Sequence, residues 1–95
     1  MSAGLDKQAF LKNIESLLQD VLAIDTLNIP ITLETQLVNG VGENRIDLSS
    51  IDYVFFLVAV EDFYNITFDF DAKVFTVNDV YSYIVEYKEK ERFHT

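Results

Sequence analysis

A chain of 95 residues with 49% hydrophobic content can bury one small core, and sixteen acidic against seven basic residues leave a net charge of -9. Nucleic acid is excluded as a natural partner because its phosphates would be repelled. With no cysteine and one histidine, disulfides, thiolate sites and histidine-rich metal centres are excluded as well.

The N-terminus has Asp6 and Lys7 close behind Leu5, which interrupts the apolar core of a signal peptide. Residues 6 to 23 follow as an amphipathic helix. Phe10, Ile14, Leu17, Leu18 and Val21 recur at i, i+4, i+7, i+8 and i+11, one stripe at helical period. Residues 25 to 48 form a long connection, in which Pro30 holds Ile29 extended and Asn39-Gly40-Val41-Gly42 signals a turn. Leu27, Ile29, Ile31, Leu33, Leu37 and Val38 are too apolar for a free linker. The loop is therefore expected to lie across the helices with Leu33 and Leu37 as anchors.

Residues 50 to 64 carry two local signals that disagree. Tyr53 to Val58 is β-branched and aromatic, which favours a strand, and Ile66, Phe68 and Phe70 alternate with polar residues as a second strand would. Ser49 followed three residues later by Asp52 is a capping pattern, and fifteen residues suit a helix better than a strand. Helix is preferred, with Ile51 turned inward; the alternative is an α+β domain with strands at 53–60 and 66–70. The apolar run from Val54 to Val60 is far short of the roughly 20 residues of a membrane helix.

Thr76 and Asp79 repeat the cap, and Val77, Val80, Tyr81 and Ile84 share one face of a last helix running to about Lys88. Asp69 to Phe75 has room for one short helical turn before it. The fold class expected is all-α: a small four-helix bundle of three main helices plus one short helix, with a long first loop. It forms a single domain over 1–95 with its helical core at about 7–88 and frayed ends, and is read as a cytoplasmic monomer with no membrane span.

Acidic residues are unevenly spread. Asp47, Asp52, Glu61, Asp62, Asp69 and Asp71 occur before the next base, Lys73. Such a run is either a solvated face that keeps the protein soluble or a docking face for basic partners. Enzyme signatures are missing: there is no GxSxG elbow, no phosphate-cradling glycine loop and no HExxH. Ser50 has no histidine base at hand, since His94 is the penultimate residue. Asp69 and Asp71 lack the glycine and closing glutamate of a calcium loop. A catalyst is not expected.

The ordered set Ser49-Ser50-Ile51, Glu61-Asp62-Phe63-Tyr64, Ile66-Thr67-Phe68, Thr76-Val77 and Tyr83-Ile84, with Thr35-Gln36-Leu37 upstream, resembles the acyl carrier protein family over about residues 7 to 88. That family's marker is Asp-Ser-Leu at the head of the second helix, whose serine bears 4'-phosphopantetheine. The resemblance implies that Ser50 is the attachment point. Aligning Ser49 there instead would shift Tyr64 and Phe68 out of place. Ser49 replaces the usual aspartate, keeping a capping oxygen and losing a charge.

What the resemblance implies is a carrier of an acyl or aminoacyl intermediate, held as a thioester on that arm in a dedicated fatty acid or polyketide type of pathway. Its partners would be a phosphopantetheinyl transferase and acyl-transfer, ketosynthase or ligase-type enzymes. Asp52, Tyr53, Phe55, Glu61 and Asp62 are the docking candidates; at Phe55 the family commonly has a glutamate, so an apolar patch replaces an acidic one unless the long loop covers it. Phe56, Val60, Phe68, Val77, Tyr81 and Ile84 would line either a filled core or a tunnel for the acyl chain. A peptidyl or D-alanyl carrier shares this outline, and the alternative is an unmodified helical interaction module.

Overall fold

A computed structural model describes residues 6–22, 31–38, 40, 42, 44–46, 48–69 and 72–92. Three helices carry the fold: α1 (Lys7–Leu22), α2 (Ser50–Tyr64) and α3 (Val77–Arg92). β-Pairing among the described residues is limited to isolated bridges from Gln36 to Arg45 and to Thr76.

Helix α1 starts where the Asp6 carboxylate accepts from Gln8 N at 3.3 Å and the Asp6 carbonyl accepts from Phe10 N at 2.8 Å. Its stripe behaves as the period dictates: Phe10, Ile14 and Leu18 are buried, with Leu17 and Val21 packed at the margin. The N-terminal half of α1 meets the C-terminal end of α2. Phe10 lies 6.0 Å from the Tyr64 ring, and Asn13 donates to the Tyr64 hydroxyl at 3.1 Å.

Both ends of α2 are chemically fixed, and this overrides the strand propensity of its middle. Ser49 is the N-cap in extended geometry (φ -67, ψ 167), and its hydroxyl accepts from Asp52 N at 3.2 Å. At the other end Asn65 turns left-handed (φ 58, ψ 52), a conformation that asparagine tolerates better than most residues. Ile66 N then donates to the Glu61 carbonyl at 3.1 Å, and the Glu61 side chain accepts from Phe68 N at 2.8 Å. The chain beyond α2 is thus held as a capped turn, and its described part, 66–69, forms no strand.

Helix α3 begins with a complete capping box. Asp79 N donates to the Thr76 hydroxyl at 3.1 Å, and Thr76 N donates back to the Asp79 carboxylate at 3.1 Å. The helix runs to Arg92, four residues past the expected Lys88. Glu89, Lys90, Glu91 and Arg92 are strong helix formers and contain no stop signal.

The long first loop is built into the fold by the unpaired amides at the head of α3. Val77 N donates to the Thr35 carbonyl at 2.9 Å and Asn78 N to the Leu33 carbonyl at 2.8 Å. Together with Asp79 N on Thr76, three first-turn donors that a helix cannot satisfy internally are paired. Leu37 sits fully buried in the core, tied at both sides by Leu37 N to the Phe75 carbonyl at 2.7 Å and Leu48 N to the Leu37 carbonyl at 2.9 Å. Leu33 packs only at the edge. Thr35, the one buried polar residue among the described residues, donates to Asn44 Oδ1 at 2.8 Å and accepts from Thr32 N at 2.9 Å.

Gly40 has to be small, because a Cβ there would stand 2.8 Å from Arg45 Cβ and 3.0 Å from Gln36 Cβ; Gly42 supplies a left-handed turn at φ +84. Asn39 and Val41 of the predicted turn, and Leu27 and Ile29 of the apolar loop, lie outside the described residues.

The expected fourth, short helix is not shown among the described residues. Between α2 and α3 the described residues form no helix, and the only helical-type contact there is Ala72 N to the Asp69 carbonyl at 3.1 Å. Residues 72–75 form no helix, and two of their carbonyls are recruited elsewhere. Leu37 N takes the Phe75 carbonyl and the Tyr53 hydroxyl takes the Val74 carbonyl at 2.7 Å. Phe70 and Asp71 lie outside the described residues.

The core gathers Phe10, Ile14 and Leu18 of α1, Phe56 and Val60 of α2, Val77, Val80 and Ile84 of α3, and Leu37 and Val74 from the connections. Three tyrosines close its margins through their hydroxyls. Tyr53 donates to Val74, Tyr64 accepts from Asn13, and Tyr83 donates to the Thr67 carbonyl at 3.2 Å while accepting from Asp69 N at 2.7 Å. Loss of hydration around each phenol pushes all three above the ordinary tyrosine range.

The sign of the pH dependence follows. A pKa raised in the folded state means that the unfolded chain ionises first, near its ordinary value of about 10. The contribution of these tyrosines to stability is therefore constant below that pH and falls as the pH rises beyond it. Helical circular dichroism should hold to about pH 10 and then decline, with tyrosinate absorbance appearing together with unfolding. Full ionisation of all five tyrosines with the helices intact would contradict the clamp role.

Candidate functional site

The head of α2 divides two neighbouring hydroxyls between two tasks. Ser49 is occupied by its role as the cap. Ser50 is the first residue of the helix and is exposed. Its hydroxyl is not needed to hold the helix end, so the side chain can be changed without unfolding α2. A substituent on Ser50 would sit beside the positive end of the helix, where backbone N–H groups favour a phosphate.

The predicted docking residues do not form one patch. Helical spacing puts Tyr53 and Phe55 about 160° apart from geometry alone, at 100° per residue. Tyr53 packs half-buried against the core with its hydroxyl on Val74. Phe55 faces solvent, so the first loop does not cover it. Glu61 is half-buried and serves as an acceptor for Phe68 N, which makes it part of the turn after α2. Asp62 is exposed, and Asp52 is partly buried within the first turn.

Ile51 is a correction. It was expected to turn inward, yet it is 62% exposed, the largest value among the exposed apolar side chains. It lies on the face away from Phe56 and Val60, and Val54, Phe55 and Val58 share that face with it. Sequence reasoning assigned no role to Ile51, Val54 or Val58 as a surface. The signal that could have found them was their spacing at i, i+3 and i+7 with Phe55 at i+4.

Comparison with protein-family models, with curated proteins and with solved structures finds no match to this chain. Its functional reading therefore rests on the residues themselves.

Among the described residues no group of three or more histidine, cysteine, aspartate or glutamate side chains could hold a metal ion, and no helix is long and apolar enough to cross a membrane. The interior residues expected to line a core or a tunnel are buried at Phe56, Val60, Phe68, Val77 and Ile84. Tyr81 is partly buried, edge-on to Phe10 at 5.2 Å. Phe10 and Phe56 are each fully buried.

Proposed function

We propose that the chain is a carrier whose exposed Ser50 accepts 4'-phosphopantetheine, and that it presents an acyl or aminoacyl group to partner enzymes. The observation that carries this reading is the division of labour at the head of α2: Ser49 caps, and Ser50 stands exposed in the first turn. In the loading step Ser50 Oγ forms a phosphate ester as the diphosphate bond of coenzyme A breaks and the nucleotide leaves. The serine proton passes to a base on the phosphopantetheinyl transferase. The arm supplies a terminal thiol, which a protein without cysteine cannot provide itself.

Full burial of Phe10 and Phe56, with Tyr81 edge-on to Phe10, supports cargo held outside the core, and so favours a short chain. Acidic residues at Asp52 and Asp62 near the arm suit basic partner surfaces and fast exchange between enzymes. The second reading, an unmodified helical interaction module, is favoured by the exposed apolar side chains of α2.

One measurement separates them. Co-expressed with a broad-specificity transferase, the protein should gain one phosphopantetheine in intact mass, Ser49→Ala should still gain it, and Ser50→Ala should not. No gain on the wild-type chain, or a gain that persists in Ser50→Ala, defeats the carrier reading and leaves the interaction module.

A further inference from the structure

Aromatic side chains form a row where the turn after α2 meets the second half of α3. The Phe68 ring lies 4.7 Å from Tyr83, and Tyr83 lies 6.5 Å from Tyr87 with the two planes 25° apart. Phe68 is buried, whereas Tyr83 and Tyr87 are half-buried and stand one turn apart on α3. Beside them is a cleft of about 210 Å³, lined by Asp69, Tyr83, Glu86, Tyr87 and Lys90. The Tyr83 hydroxyl accepts from Asp69 N at 2.7 Å and donates to the Thr67 carbonyl at 3.2 Å, which fixes ring and turn together. Loss of hydration, and then the charge of Asp69, push the Tyr83 phenol above its ordinary range, so that carboxylate stands close to the ring.

The lining chooses among occupants. An anion would meet Asp69 and Glu86 in a chain of net charge -9. A neutral apolar molecule would take water from both carboxylates and give nothing back. A calcium ion asks for more oxygen ligands than two carboxylates supply. Drug-sized molecules occupy sites of roughly 300 Å³ or more, so the occupant is small. An alkylated ammonium fits what remains, because aromatic rings attract its charge through their quadrupoles while its methyl groups pack against them. Lys90, the one base of the lining, stands four residues after Glu86, the spacing at which the two can pair. We propose that this cleft binds a small organic cation of the alkylammonium class, with Tyr83 and Tyr87 as its aromatic wall, Asp69 as its counter-charge and Glu86 holding Lys90 aside. The site lies beyond the far end of α2, about 21 Å along the helix from Ser50 at 1.5 Å per residue. It is built without Ser50, so it goes beyond the carrier reading and stands or falls separately.

The test titrates choline, at constant ionic strength, into the full unmodified chain labelled with nitrogen-15. Its neutral isostere, 3,3-dimethylbutan-1-ol, is the control. Choline should shift the amides of residues 68–69 and 83–90 with a Kd on the order of 1–10 mM, as suits so small a ligand. The alcohol should bind at least about fivefold more weakly. Tyr87→Leu, which keeps an apolar side chain at the margin of the core, should weaken choline about fivefold, and Asp69→Asn about threefold. Tyr87→Phe keeps the ring and should bind as the wild type does.

Shifts spread evenly over exposed carboxylates such as Asp20, Glu34 and Asp62 would make choline a plain counter-ion and overturn the proposal. Equal binding of the alcohol overturns it in favour of an apolar cleft. So does binding indifferent to Tyr87→Leu, which removes the aromatic wall, or the lack of any shift at 69 and 83–90 in about 50 mM choline.

Discussion

Phe56→Ala should lower the unfolding free energy by about 3–5 kcal/mol, whereas Phe55→Ala, one residue earlier, should change it by no more than about 0.5 kcal/mol. Phe56 is completely buried in the core, so truncation removes its transfer free energy and leaves a cavity that rigid helices fill only in part. Phe55 is half exposed on the other side of the same helix, where water already occupies much of its surroundings. Urea unfolding followed by circular dichroism gives both numbers. Since single domains of this size have only about 5–15 kcal/mol in total, Phe56→Ala should be visibly less stable at room temperature. Equal losses for the two variants would mean that α2 is rotated about its axis from the orientation described.

Leu37→Ala should cost about 2–5 kcal/mol, although it lies in a loop. Leu37 is fully buried, and its backbone joins the segment before α3 on one side and Leu48 on the other. Losing the side chain should loosen the whole connection, including the Thr35 and Leu33 carbonyls that satisfy Val77 N and Asn78 N. Hydrogen exchange offers a sharper reading than the stability alone. The Val77 and Asn78 amides should lose protection in Leu37→Ala more than the amides in the middle of α1. If these two amides remain as protected as in the wild type, the loop does not supply their acceptors.

Several elements were legible in the residues. The α1 stripe follows from 3.6-residue spacing, and the starts of α2 and α3 follow from Ser49 with Asp52 and Thr76 with Asp79, because a cap is a local bond between neighbours. The anchoring of Leu37 follows from an apolar residue in a loop too long to be idle. The end of α3 was not legible, since nothing in Glu89 to Arg92 stops a helix. The course of residues 72–75 was not legible either. The Val74 and Phe75 carbonyls are bound by Tyr53 and Leu37, which are distant in sequence.

The candidate site divides in the same way. That a serine stands at the first position of α2 follows from the sequence, because position relative to a cap is local. Which side of α2 faces water does not follow from it. Tyr53 to Val58 is apolar without interruption, so burial of almost any face would satisfy the hydrophobic effect equally. Packing against α1 and the rest of the core breaks that tie by seating Phe56 and Val60. Tyr53 is then brought to Val74, Glu61 to Phe68 N, and Ile51 and Phe55 are turned outward together. The sequence by itself determined an acidic helical domain with a helix-head serine. Only the tertiary structure decided that the same helix carries an exposed apolar stripe, because the rotation of an all-apolar helix is fixed by its neighbours.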